Sequence, residues 1–464
     1  MKTSELPAVG APDLRRWLAA PLGVGLHGAD LDADAGRLRR HLDAGELLRA
    51  ALPARVARDG VQQRQAQEID QSARLWRRQF MQCHAAEIYA RLTDDGRARP
   101  RLAQLAADAA ATFPGLVPDE TNMCRERAAP QAAKEGREID QGIFFSALLA
   151  EPSCGIHLME SMLRPTARAL QLLAHFRTDG SVTLATLRLE RRGGIAHLTV
   201  CNGAHLNAED DQLIDDMETA VDLALLDPAV RVCVLRGGPV GHPKYAGRRV
   251  FSAGINLKQL HLGQISYVDF LLRRELGYIH KMYRGLLVDD EGGAAPRVLD
   301  KPWLAAVDSF AIGGGAQLLL VCDRVLAASD SFFSLPAAQE GIVPGVASLR
   351  LTRAVGARLA RQIILGGRAV RATDVEAPLL FDAVVEPDAL DAAVDIHAAQ
   401  LDSAAVGVNR RMLNLAEEPM DLFRLYLAEF ALQQALRLYS EDVLAKVAHA
   451  GVRPNVTGKH DEIV

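Results

Sequence analysis

Two runs in this chain carry an apolar, strand-like stretch into a glycine turn and out into a helix-like one: Ser252-Ala-Gly-Ile-Asn256 and Gly313-Gly-Gly-Ala316. Such a turn leaves main-chain N–H groups without intrahelical partners, with the positive end of the helix dipole behind them. Two ends directed at one spot would hold an oxygen that becomes negative. Each such donor in a water-poor site is worth about 3 kcal/mol to a transition state. Glycines that only let a helix pack closely on a strand would give the same letters. The first polar side chain after the second bend is Gln317, an amide that neither gives up nor takes a proton near neutral pH.

The elements around these bends alternate. Residues 1–182 read as helical, with apolar positions three and four apart in "QSARLWRRQFMQCHAAEIYARL". From residue 183 the texture changes. "VTLATLRLERRGGIAHLTVCNG" alternates like paired strands about Gly193-Gly194, and "VRVCVLRGG" reads as a short buried strand. Helical patterns separate these strands, including the long stretch "YVDFLLRRELGYIHKMYRGLLV". Strands recurring with helices make residues 183–400 an α/β region, and residues 401–464 are again helical.

Taken together, the two bends and their flanks resemble the crotonase (enoyl-CoA hydratase/isomerase) superfamily. "RVFSAGINLKQL" is similar to its first oxyanion segment and "KPWLAAVDSFAIGGGAQLLLVCD" to its second. "FFSLPAAQEGIVPG" and "IILGGRAVRATDVEAPLLFDAVVEP" follow as later landmarks in the usual order. The resemblance implies a spiral of ββα units, here with a helical N-terminal domain and a helical C-terminal segment. It implies an acyl-CoA thioester substrate, the backbone N–H groups of Ile255 and Gly314 as oxyanion donors, and assembly in trimers. Hydratases of this superfamily use two glutamates, whose places fall on Gln317 and Ala337. Adding water to an alkene needs one group to deprotonate water and one to protonate carbon, so simple hydration is not expected.

The whole chain resembles one branch of the superfamily, the cofactor-independent dioxygenases acting on dihydroxyphenylacetyl-CoA in glycopeptide antibiotic assembly. That resemblance implies O₂ as co-substrate and neither metal nor flavin. It also implies that Glu209, Arg274 and Gln317 hold the dihydroxyphenyl ring. Glu209 reads equally as a first-turn carboxylate complementing a helix dipole, and Arg274 as a surface ion pair with its neighbours. O₂ is small and apolar and suits a dry aliphatic pocket, for which Ile342, Val343, Val443 and Leu444 are candidates; all four read equally as ordinary core. Lys244, Arg248 and Arg249 precede the first bend and would either meet CoA phosphates or form a solvated loop.

Composition agrees with an enzyme of this kind. The chain has 464 residues, 49% hydrophobic and 24% charged, and a net charge of −5, which gives no reason to expect nucleic acid or an anionic membrane as partner. Six cysteines without a C-x-x-C pair suggest buried, reduced thiols in the cytoplasm. No signal-peptide-like or membrane-length apolar run appears. The histidines are dispersed, without metal-ligand spacing. A literal G-x-G-x-x-G at residues 23–28 follows a helical pattern and Pro21 instead of a strand, so no dinucleotide site is expected there.

Overall fold

A computed structural model describes residues 11–19, 26, 28–289 and 296–452, with backbone alone at 11–12 and 447–452. Apart from Leu26 and Gly28, the G-x-G-x-x-G lies outside the described residues. The chain forms two compact units, Met1–Ser161 with Leu427–Tyr439, and Met162–Tyr426 with Ser440–Val464.

The first unit is helical. Its helices are α1 (Ala11–Leu18), α2 (Leu31–Ala50), α3 (Gly60–Leu92), α4 (Leu102–Thr112), α5 (Glu120–Arg127), α6 (Glu138–Ala150) and most of α7 (Pro152–Met162). Helix α3 starts where it does because Asp59 caps it. The Asp59 side chain accepts from the Val61 and Gln62 amides, and the Gln62 side chain accepts from the Asp59 amide. Such a cap contributes about 1 kcal/mol. Ile69, Trp76, Phe80, His84 and Ile88 of α3 are buried, a stripe at helical spacing that packs toward α2 and α6.

The second unit is α/β. After α8 (Ala167–Asp179) come β1 (Ser181–Thr183), β2 (Leu187–Arg192), β3 (Ile195–Val200), α9 (Asp211–Leu226), β4 (Val232–Gly237) and the short α10 (Leu257–His261). Then follow a π-helical turn (Tyr267–Leu272), α11 (Arg273–Leu276), α12 (Tyr278–Arg284), β5 (Leu286–Val288), β6 (Arg297–Leu299), β7 (Trp303–Val307), β8 (Phe310–Ile312) and α13 (Gly314–Leu319). The rest are β9 (Arg324–Ala328), β10 (Phe332–Ser334), α14 (Ala337–Glu340), α15 (Ala347–Ile364), β11 (Val370–Arg371), β12 (Ala383–Val385), α16 (Leu390–Leu401), α17 (Ala404–Glu417), the start of α18 (Met420–Leu438), which from Leu427 on belongs to the first unit, and α19 (Glu441–Val452).

The main sheet runs β1-β2-β3-β4-β7-β9-β12. It is antiparallel from β1 to β3 and parallel from β3 to β12. The hairpin turns at Gly193-Gly194, as its alternation predicts. A smaller sheet runs β11-β10-β8. The order repeats a ββα theme: β2-β3-α9, β7-β8-α13 and β9-β10-α14. Ser252 bridges to Ala311 of β8, so the segment ahead of α10 plays the second-strand part after β4. Val232, Val234, Leu304, Ala306, Leu326 and Ala328 of the parallel strands pack on Leu390, Val394 and Ala398 of α16. Burial on that face is near-continuous because helices cover the sheet.

Two sequence expectations change here. The helix expected across "YVDFLLRRELGYIHKMYRGLLV" is interrupted. It opens with the π-helical turn and breaks at Gly277 (φ −94°, ψ −110°). The thiols expected to be buried divide: Cys154 and Cys233 are buried, but Cys83, Cys124 and Cys201 are exposed.

Candidate active site

The two glycine bends lie against one another. A Cβ on Gly254 (φ +83°) would stand 3.2 Å from the Gly314 nitrogen and 2.9 Å from the Ile312 carbonyl oxygen. One on Gly315 would stand 2.5 Å from the Ser252 Cβ. Side chains at these positions would hold the bends apart, which is why both runs need glycine.

The direction of the bend amides follows from the pairing. The Gly254 carbonyl accepts from the Glu209 amide (2.7 Å), and the Asn256 amide donates to the Glu209 carbonyl (2.8 Å). In a parallel pairing the residue between two such bonds turns its own N–H the other way. The Ile255 N–H therefore faces away from Glu209. Gly314 opens α13 with Gly313 as its cap, so its N–H has no acceptor within the helix. Asn256 fixes the first bend by capping α10 through the Gln259 amide.

A buried polar network backs the second bend. A Cβ on Gly314 would lie 1.8 Å from Oε2 of Glu209, so the carboxylate presses directly on that glycine. The Glu209 carboxylate receives Arg274 Nε at 3.1 Å on both oxygens and the Tyr278 hydroxyl at 2.8 Å. Arg274 also donates from Nη2 to the Gly314 carbonyl (2.6 Å) and from Nη1 to Glu275 and to Gln317 Oε1 (2.7 Å each). Glu275 accepts in turn from the Val346 amide (3.2 Å). Glu209, Arg274 and Glu275 are each no more than 3% exposed.

Burial by itself would lower the Arg274 pKa. The carboxylates of Glu209 and Glu275 outweigh it and hold the guanidinium above its ordinary value. Burial pushes the Tyr278 phenol well above its usual range, so it remains a protonated donor. Arginine has only N–H groups to offer, so Gln317 must turn its oxygen toward Arg274. Its amide nitrogen is left as the outward donor.

The structure thus joins Glu209, Arg274 and Gln317 in one network beside Gly314. It removes the reading of Arg274 as a surface ion pair, and it places Glu209 ahead of the α9 cap, Asp210, instead of in the first helical turn. Ala337 is buried at the start of α14. Ile342 and Val343 are half-buried after α14, whereas Val443 is buried on α19, the helix that packs on α10. Leu444 is half-buried on that same helix. Of the basic trio, Arg248 is ion-paired to Asp330, Arg249 donates to the Gly237 carbonyl (3.4 Å), and Lys244 Nζ lies 5.6 Å over the Tyr245 ring.

Sequence reasoning missed Tyr278 and Glu275 as members of the network. The signal for Tyr278 was its spacing of four from Arg274, a one-turn step in a helix, although the chain breaks between them at Gly277. Among the described residues no group of three or more His, Cys, Asp or Glu is placed to hold a metal ion, and no single helix is long and apolar enough to cross a membrane.

Strands wound with ββα units and two abutting glycine bends define a crotonase-type protein. The enoyl-CoA hydratase/isomerase family profile matches residues 190–409. Over 396 residues the chain is 60% identical to (3,5-dihydroxyphenyl)acetyl-CoA 1,2-dioxygenase of Amycolatopsis orientalis, covering 85% of this chain and 91% of that protein. The chain belongs to this family. It is also 33% identical over 260 residues to a probable enoyl-CoA hydratase of Rhizobium meliloti, covering 53% of this chain and 90% of that one. Among solved structures, an enoyl-CoA hydratase from Mycobacterium avium subsp. paratuberculosis is 25% identical with a TM-score of 0.48, covering 57% of this chain and 99% of its own.

Proposed function

We propose that this protein is a dioxygenase that converts 3,5-dihydroxyphenylacetyl-CoA and O₂ to 3,5-dihydroxyphenylglyoxylate and free CoA. The observation that carries the reading is the 60% identity, over most of both chains, to an enzyme of that activity. The site chemistry fits it. The CH₂ of an arylacetyl thioester is acidic because charge spreads into both carbonyl and ring. N–H donors at Ile255 and Gly314 would stabilise the resulting enolate oxygen, an interaction that strengthens as charge develops.

We take the reaction to run without metal or flavin, because the carbanion is itself electron-rich enough to pass one electron to O₂. Recombination forms a C–O bond and a peroxide at the α-carbon. The terminal peroxide oxygen then attacks the thioester carbonyl and expels the thiolate. O–O cleavage with loss of the second α-proton gives the keto acid. Both oxygen atoms enter the product, and the two α-hydrogens leave as protons that balance carboxylate and thiolate.

Glu209, Arg274, Tyr278 and Gln317 are assigned to the ring hydroxyls. Gln317 offers a phenol oxygen an N–H that cannot return a proton to the carbanion. Ile342 and Val443 remain candidates for an oxygen-holding pocket, and Lys244, Arg248 and Arg249 for the CoA phosphates. Cytoplasmic location and trimer-based assembly belong to the same reading; sedimentation at trimer mass would support the latter.

The test is product identity. Metal-stripped protein should consume O₂ and release thiol in air and do neither under nitrogen, whereas thiol release under nitrogen would make it a hydrolase. Gln317→Glu should lower turnover about ten- to a hundredfold, the worth of one hydrogen bond to a charged group. It would place a third carboxylate on Arg274, beside Glu209 and Glu275.

A further inference from the structure

Helix α12 and the short α11 before it carry two parallel stripes of side chains. Arg274 and Tyr278, four residues apart, meet Glu209. Arg273, Gly277 and Lys281, at the same four-residue steps, meet Glu218 of α9. Arg273 Nε donates to Glu218 Oε2 at 2.6 Å and Lys281 Nζ to Oε1 at 2.8 Å. Between them Gly277 lies so close that a Cβ there would stand 3.0 Å from Oε1 and 2.4 Å from the Arg273 carbonyl oxygen. Glu218 and Lys281 are 0% exposed.

Other carboxylates share the two cations, Asp215 with Arg273 (2.7 Å) and Asp222 with Lys281 (2.7 Å). Among the described carboxylates only Glu218 holds both. It does so across the break at Gly277, where the backbone leaves helical geometry (ψ −110°).

We propose that Glu218 is a positioning residue for substrate recognition: by pinning Arg273 and Lys281 on either side of Gly277 it sets the rotation at which Arg274 and Tyr278 reach Glu209 and the substrate ring. The geometry supports a remote effect because Arg273 and Arg274 are consecutive residues of α11, and their side chains leave the same turn about 100° apart. A displacement of α11 that loosens Arg273 from Glu218 also carries Arg274. The inference rests on the assignment of Arg274 to the ring hydroxyls.

Anaerobic binding tests it, since turnover is then stopped by lack of O₂. Dissociation constants would be measured for 3,5-dihydroxyphenylacetyl-CoA and for phenylacetyl-CoA, which shares the CoA and thioester but lacks the hydroxyls. In Glu218→Gln the preference for the dihydroxy ligand should fall about tenfold while phenylacetyl-CoA binding stays within about twofold. A merely structural role would weaken both alike, and that result, or an unchanged preference, overturns the proposal. If Glu218→Gln does not fold, Arg273→Gln, which removes one arm on a partly exposed side chain, is read by the same criterion. Arg274→Gln separates the two ideas. If it leaves the preference intact, the ring assignment falls and the proposal with it; if it abolishes the preference and Glu218→Gln does not, only the positioning role falls.

Discussion

Two buried charge networks hang on the same interrupted helix, and they are built differently. Around Lys281 everything is closed. Its ammonium meets Glu218 and Asp222, Arg273 meets Glu218 and Asp215, and the second Asp222 oxygen accepts the Thr166 amide. Around Arg274 the network runs outward to the Gln317 side-chain oxygen and to the Gly314 carbonyl at the second bend. A closed network fixes structure, while an open one has donors left for something that is not protein. Ile255, Gly314 and Gln317 are each half-buried, so this end of the network is not shut off from solvent as the Lys281 end is.

The contrast can be broken at several strengths. Lys281→Met should have the largest effect, costing about 3–5 kcal/mol of stability by stranding buried carboxylates. Denaturant unfolding measures this, and a loss below about 1 kcal/mol would mean the network is less closed than its burial indicates. Gly314→Ala comes next. Its Cβ falls on Glu209 Oε2, which Arg274 and Tyr278 hold in place, so O₂ uptake should drop by about a hundred- to a thousandfold. Stability should fall less than in Lys281→Met. Equal loss of stability in the two variants would erase the distinction between them. Tyr278→Phe is the mildest, removing one hydrogen bond to a carboxylate, about 1.5 kcal/mol. Roughly tenfold weaker turnover of the dihydroxy substrate is expected, measured as kcat/KM, with a loss of stability well below that of Lys281→Met.

Much of the core was legible before any coordinates. Paired glycines at 193–194 announced a hairpin, and Gly254 and Gly313–Gly315 the bends, because each is a local backbone demand that few residue types meet. The long helix was misread because apolar spacing does not mark its break: a Cβ at Gly277 would stand 2.4 Å from the Arg273 carbonyl oxygen and 3.0 Å from Glu218, and neither contact is written in the pattern. Exposed Cys83, Cys124 and Cys201 were misplaced because thiols pack like small apolar groups, and their types do not say which face of an element they occupy.

By itself the sequence determined the strand–glycine–helix bends, the absence of a proton-transferring side chain at Gln317 and Ala337, and kinship with the enoyl-CoA hydratase/isomerase family. These are properties of neighbouring residues and their order. Only the tertiary structure decided that Arg274 is buried, that Tyr278 and Glu275 join it, and that Glu209 presses on Gly314. Those contacts close loops of 65 residues from Glu209 to Arg274 and 69 to Tyr278. A side chain's burial and partners depend on which distant element packs over it, and that is settled by the whole core at once.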